Sequence, residues 1–314
     1  MSDVRYTEIS ADEEGQRLDN YLMRILKGVP KSHIYRIIRA GEVRINKKRA
    51  QASSRLMQGD CVRIPPVRTS QGKDIFVGEK LEQRLRESIL FEDNSLLVIN
   101  KPASIAVHGG SGLSLGVIEA LRKTRDDLSY LELVHRLDKE TSGCLLLAKK
   151  RSMLRAIQAL LEAREVQKTY WALLSNSWQG KKTKLVDAAL EKNTLKSGER
   201  VVAVKEEGKA SQTSFKLLEN YQQACWVEAS PKTGRTHQIR VHSAYLGHPI
   251  VGDEKYGTEE LITGLESVKS RLYLHARAIQ FNLNGKNYLF EANLDERFAE
   301  TLKKLRAGSL LTHG

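Results

Sequence analysis

The chain has 314 residues, 40% of them hydrophobic and 28% charged, a composition that fits a soluble globular protein with room for two domains. No run approaches the roughly 20 apolar residues that span a bilayer, and the acidic N-terminus MSDVRYTEISADEEGQRLDN lacks the apolar core of a secretory signal. Lys and Arg number 51 against 38 acids, and Cys61, Cys144 and Cys225 are too scattered for a disulfide framework or a metal site, which points to a reducing, cytoplasmic setting.

The basic excess is concentrated near the start. Residues 14–68 carry 13 Lys/Arg against 4 Asp/Glu, the electrostatic footprint of a nucleic-acid partner, although an anionic membrane surface attracts the same charge. Within this segment Leu18, Tyr21, Leu22, Ile25 and Leu26 recur at helical spacing, and the run stops at Gly28 with Pro30 beyond. A second helix is predicted after it, with Ser32 as N-cap, Ile34, Tyr35, Ile37 and Ile38 as the buried stripe, and Gly41 at the end. GEVRIN and DCVRIP then alternate in strand fashion around an NKK turn. One helix face carries Lys31, Arg36 and Arg39, and Arg44, Lys47 and Lys48 extend the same basic surface.

Residues 67–86 are polar and weakly patterned and read as a linker. Beyond them ILFEDNSLLVINKP predicts a hairpin about a DN turn, SMLRAIQALLEAR an amphipathic helix, and KTYWALL a strand. Strand and helix signals alternate irregularly to residue 306, so the fold class expected is mixed α/β (α+β) rather than a doubly wound parallel sheet.

Two polar clusters carry chemistry. HRLDKETSG, residues 135–143, sits between the apolar runs LELV and CLLLA, so a polar loop is held by two core strands. On these residues alone a hydrogen-bonded turn explains the loop better than a catalytic site does. SPKTGRTHQIRVH, residues 230–242, interleaves two arginines with His237, Gln238 and His242 and suits phosphate or carboxylate contacts; its histidine spacing is poor for zinc.

Taken together, HRLDKETSG, TGRTHQIRVH, the K-x-Y of QKTY, and Asn100-Lys101-Pro102 followed by Val107-His108 resemble the RluA family of pseudouridine synthases over residues 88–306. Arg17-Leu18-Asp19, Gly41–Asn46 and Gly59–Val62 resemble the alpha-L RNA-binding module named after ribosomal protein S-four. The resemblance implies an RNA-binding module at 14–75, a linker at 76–87, and a mainly antiparallel-sheet catalytic domain at 88–306. It implies Asp138 as the essential carboxylate and Arg240 as its partner, a guanidinium that stabilises the ionised form. Tyr170 is then expected to stack on a flipped uracil with Ile239 on its other side, and Arg136 to contact phosphate or fill the vacated space. His135, Thr141 and Ser142 are expected to hold the loop. Arg17, Lys31, Ser32, Arg36, Arg39, Arg44, Lys47 and Lys48 are the expected RNA contacts.

The reaction implied breaks the bond between ribose and uracil nitrogen 1 and rejoins the base through carbon 5, with no cofactor or metal. The implied partner of a monomeric enzyme is 23S ribosomal RNA or its large-subunit precursor, with no membrane. Transfer RNA or another large-subunit site as substrate, and a non-catalytic ribosome-assembly factor, stay open. A glycosidase-like hydrolase lacks a second carboxylate, Glu140 apart.

Overall fold

The computed structural model describes residues 3–26, 28–67, 76–109, 115–194, 200–257 and 271–310. They fall into two compact units, Met1–Phe76 with Lys150–Ser152, and Val77–Lys149 with Met153–Gly314.

In the first unit the order is β1 (Arg5–Glu8), α1 (Leu18–Ile25), α2 (Lys31–Arg39), β2 (Arg44–Ile45), β3 (Lys48–Arg49) and β4 (Cys61–Ile64). The strands form one antiparallel sheet in the order β1-β4-β2-β3. Helical spacing places Leu18, Tyr21 and Leu22 on one face of α1 and Ile34, Ile37 and Ile38 on one face of α2. Both faces close over Ile9, Val43, Leu56 and Val62. Each such side chain contributes roughly 1.5–3 kcal/mol by leaving water.

Two expectations change here. Pro30, not Ser32, precedes the first turn of α2, and its carbonyl accepts the N–H groups of His33 and Ile34 at 2.9 and 3.1 Å. The ring holds φ at −57°, so the chain is already set to enter the helix, and Ser32 stands exposed in the first turn. The turn at Asn46 and Lys47, with φ of 50° and 68°, joins β2 to β3, while β4 pairs along the other edge of β2. GEVRIN and DCVRIP are therefore sheet neighbours without being the two arms of one hairpin.

The second unit opens with α3 (Glu79–Glu87), β5 (Ile89–Glu92), β6 (Leu96–Lys101), α4 (Val117–Thr124), β7 (Glu132–Leu133), β8 (Ser142–Ala148) and α5 (Arg151–Glu162). It continues through β9 (Gln167–Ser175), β10 (Thr183–Asp187), β11 (Leu190–Thr194), β12 (Arg200–Val204), β13 (Gln212–Asn220) and β14 (Ala224–Pro231). α6 (Gln238–Tyr245), β15 (Leu274–Leu283), β16 (Lys286–Glu291) and α7 (Glu296–Leu310) complete it. Ten strands make one sheet in the order β10-β13-β14-β9-β15-β8-β6-β5, with β16 on β15 and β7 on β8. The pairing is antiparallel except between β15 and β8, as the mixed, mainly antiparallel fold class requires.

The reading of 76–87 as a linker is overturned over its helical part. Leu85 is buried, and Val77 and Leu81 pack with it against α4 and β6. Only two apolar positions four residues apart mark that face, too few to stand out in a charged segment. Residues 68–75 of the expected linker lie outside the described residues.

β8 explains how the site loop is held. All seven of its residues are buried because the strand is covered on both faces. Gly143, at its start, has φ of 109°, and a β-carbon there would stand 2.2 Å from the Ala276 carbonyl oxygen of β15. Only glycine permits that approach, so the T-S-G of the loop is the step by which the chain enters the sheet.

Candidate active site

The loop between β7 and β8 carries Asp138. Four interactions fix its backbone. The Thr141 N–H bonds the Asp138 carbonyl at 3.1 Å, closing the turn. His135 accepts the Leu146 N–H on Nε2 at 3.2 Å; burial, with help from Lys168, pushes its pKa down to about 3, so the ring is neutral. Ser142 meets His275 Nδ1 at 2.9 Å. Lys101, fully buried on β6, donates to the carbonyls of Pro102, Ile105 and Lys139 at 2.8, 2.7 and 3.0 Å. Burial pulls its pKa down to about 7 against the opposing pull of Glu140 and Asp138, and the three carbonyls hold the ammonium in place.

α6 supplies the facing wall. Gln238 and His242, one turn apart, point into the protein. Gln238 Nε2 donates to the Gln212 carbonyl and Thr213 hydroxyl at 3.0 Å each, and Oε1 accepts from Thr233 and the Arg235 N–H. His242 lies 2.8 Å from the Thr213 hydroxyl and 3.0 Å from the Ala188 carbonyl. These bonds pin α6 to β13 and turn Arg240, on the opposite helix face, toward Asp138.

Arg240 Nη1 lies 3.6 Å from Asp138 Oδ2. Its stronger contact is elsewhere: Nε and Nη2 each bond Asp253 at 2.7 Å, and the Asp253 side chain is wholly buried. Burial works against the guanidinium charge, but Asp253, with Asp138 and Tyr256 adding to it, holds the pKa above the usual value. Asp253 is itself set by a tight turn in GDEKYG, where Oδ1 accepts the N–H groups of Lys255 and Tyr256 at 3.0 and 3.1 Å. The guanidinium also lies over the Tyr256 ring, 5.1 Å from its centre. His237, at a left-handed φ of 54°, precedes α6 and brings Nε2 to 3.8 Å from Asp138 Oδ2.

Tyr170 on β9 is partly buried and packs against two core clusters, one holding Ile239 and the other Leu137. Burial, reinforced by the Asp138 charge, raises its phenol pKa, so it stays protonated. Ile239 is a core side chain at 6% exposure, and Tyr170 packs against its cluster. Arg136 is exposed, and its side chain makes no hydrogen bond or ion pair among the described residues. Among those residues no group of three or more His, Cys, Asp or Glu side chains gathers as a ligand set. A groove of about 270 Å³, lined by Thr169, Trp171, Glu228 and Arg277, opens on the other face of β9 and shares no residue with this site.

The chain thus gathers Asp138, Arg240, Tyr170 and Ile239 in one place. Asp253 and Tyr256 are the residues that the sequence reading missed. Their only sequence signal is an Asp three residues before a Tyr in a glycine-bounded turn. In the first unit, Lys31, Ser32, Arg36, Arg39, Arg44, Lys47 and Lys48 are all exposed. Arg17 differs from them: it donates to Asp19 at 3.1 and 2.7 Å, and Asp19 is buried.

A fold of this topology has counterparts among known proteins. The chain belongs to the RNA pseudouridylate synthase family, whose model matches residues 95–245, and an S4 domain matches residues 16–62. It is accordingly an isomerase. Ribosomal large subunit pseudouridine synthase C of Haemophilus influenzae is 52% identical over 310 residues, covering 97% of this chain and 96% of that protein. The Escherichia coli (strain K12) protein of the same name is 51% identical, covering 96% and 97%. Among solved structures, human RNA pseudouridylate synthase domain containing 4 covers 72% of this chain and 96% of its own, at 28% identity and a TM-score of 0.62. Among the described residues no helix is long and apolar enough to cross a membrane.

Proposed function

We propose that this chain converts uridines of large-subunit (23S) ribosomal RNA to pseudouridine, with Asp138 as the reacting carboxylate. The observation that carries the reading is the 3.6 Å approach of Arg240 to Asp138, with Tyr170 beside them. An aspartate carboxylate facing a fixed guanidinium has the chemistry of a nucleophile or a base. Tyr170, with the edge of Ile239, supplies an apolar platform for a uracil turned out of its helix or loop, and Arg136 is an uncommitted cation for the phosphate or space left behind. The exposed Lys31, Arg36, Arg39, Arg44, Lys47 and Lys48, with Ser32, supply the phosphate contacts of the S4 domain. Arg17 acts there mainly by holding Asp19.

The relatives' names support ribosomal RNA of the large subunit over transfer RNA. The protein acts as a monomer in the cytoplasm, without metal or cofactor, because moving one bond within a nucleotide needs no redox step. The test is pseudouridine mapping of ribosomal and transfer RNA from cells with and without the protein. Sites lost from large-subunit ribosomal RNA alone are expected. Loss confined to transfer RNA overturns the substrate, and no loss anywhere overturns the activity in the cell.

A further inference from the structure

The chemistry at Asp138 leaves one demand that neither Asp138 nor Arg240 meets. When the bond between nitrogen 1 and the ribose breaks, its electron pair stays on the uracil, and the ring is an anion spread over nitrogen 1 and the two carbonyl oxygens until carbon 5 bonds the sugar. The proton lost from carbon 5 is balanced by one gained at nitrogen 1, so the whole is an isomerisation. Between those events the detached ring needs a hydrogen-bond donor that does not itself react.

His237 is built as such a donor. Its Nδ1 is 2.7 Å from the Tyr256 hydroxyl, whose oxygen also accepts the Val202 N–H of β12 at 3.0 Å. With its acceptor side taken by the backbone, the Tyr256 hydroxyl gives its hydrogen to Nδ1, and the proton of the neutral ring then sits on Nε2. That Nε2 stands 3.8 Å from the Asp138 carboxylate, beyond hydrogen-bond reach. It has no acceptor among the described residues. Burial pushes the ring's pKa down against the pull of Asp138, with Arg240 and Lys255 lowering it further and Asp253 raising it, so the donor is a neutral one. The backbone that aims it is left-handed in a residue other than glycine, an uncommon conformation.

We propose that His237 Nε2–H is the hydrogen-bond donor that stabilises the uracil anion while the base is detached, with Tyr256 fixing the tautomer. The inference rests on the reading of Asp138 as the reacting carboxylate. Asn tolerates the left-handed backbone but is too short to reach, whereas the Gln amide nitrogen falls near the place of Nε2. On a large-subunit ribosomal RNA transcript tritiated at uridine carbon 5, His237→Asn is expected to lower kcat about 100-fold or more with KM within about twofold. His237→Gln is expected to recover most of that loss. Tyr256→Phe, which keeps the ring beneath Arg240, gives a smaller fall in kcat at the same KM. A wild-type rate in His237→Asn overturns the proposal, as does an equal loss in the Asn and Gln variants at unchanged melting temperature. Asp138→Asn run in parallel separates the two claims: if it stays active, the reading of the site fails; if it is dead while His237→Asn is normal, only the donor role fails.

Discussion

The two charged regions of this molecule are built on opposite plans. On the first unit, Lys31, Lys47 and Lys48 are exposed and have no ion pair among the described residues. Around Asp138 the polar side chains are committed: Arg240 to buried Asp253, Lys101 to three carbonyls, and the neutral His237 to Tyr256. Exposed charge of this kind gives affinity for a polyanion without fixing a geometry. Charge held in a fixed network gives geometry, and that is what a reaction at one atom needs. The two regions should therefore fail differently, the cleft in rate and the module in affinity.

Short of Asp138 itself, Arg240→Lys is the sharpest way to break this contrast. An ammonium cannot bond Asp253 through two donors and face Asp138 with a third, so kcat should fall about 100- to 1000-fold with RNA affinity within a few-fold. A mild loss would mean the fork is not what holds the cleft.

The buried histidines give the cleft's unit a pH sensitivity. Burial lowers the His275 pKa to about 4. The unfolded chain, with an ordinary histidine, binds that proton from about pH 6.5 downward. Protons therefore favour unfolding in that window: the His275 contribution is full above about pH 6.5 and declines by roughly 3 kcal/mol toward pH 4. Denaturant unfolding at pH 7, 5.5 and 4.5 measures the slope, and His275→Asn should reduce it by the His275 share, leaving the part that His135 contributes. A flat profile in the wild type would show that His275 is not held neutral.

Tyr170→Ala should weaken binding of the target nucleotide by about 1–3 kcal/mol, and Tyr170→Phe should leave it nearly unchanged. Equal losses in the two would contradict stacking. The smallest effect per residue belongs to the module. Each Lys or Arg among 31, 36 and 39 changed to Gln should reduce the salt slope of RNA binding by roughly 0.7–0.9 while the rate at saturation holds. A fall in the saturated rate instead would erase the distinction between the two regions.

Much of this contrast can be read from the chain. The basic surplus in residues 14–68 and the helical stripes ending at Gly28 and Gly41 mark the module, because both are local patterns. HRLDKETSG and TGRTHQIRVH mark Asp138 and Arg240 because the residues that pin the loop and α6 lie in the same short segments. What escaped detection is what depends on distant parts meeting. Asp253 and Tyr256 acquire meaning only when their turn comes to lie beside α6, 13 residues from Arg240 in the case of Asp253. Ile239 reads as a base contact by its place beside Arg240, yet the fold directs it mainly into the core. The helix α3 was hidden by its charge, and Ser32 was displaced as cap by a proline two residues earlier.

The most direct test of the account is Asp138→Asn, which keeps the shape of the side chain and removes its charge. Single-turnover tritium release and RNA affinity are to be measured on the same preparation. The account predicts no release above background with affinity within a few-fold of the wild type. Release near the wild-type rate would contradict it.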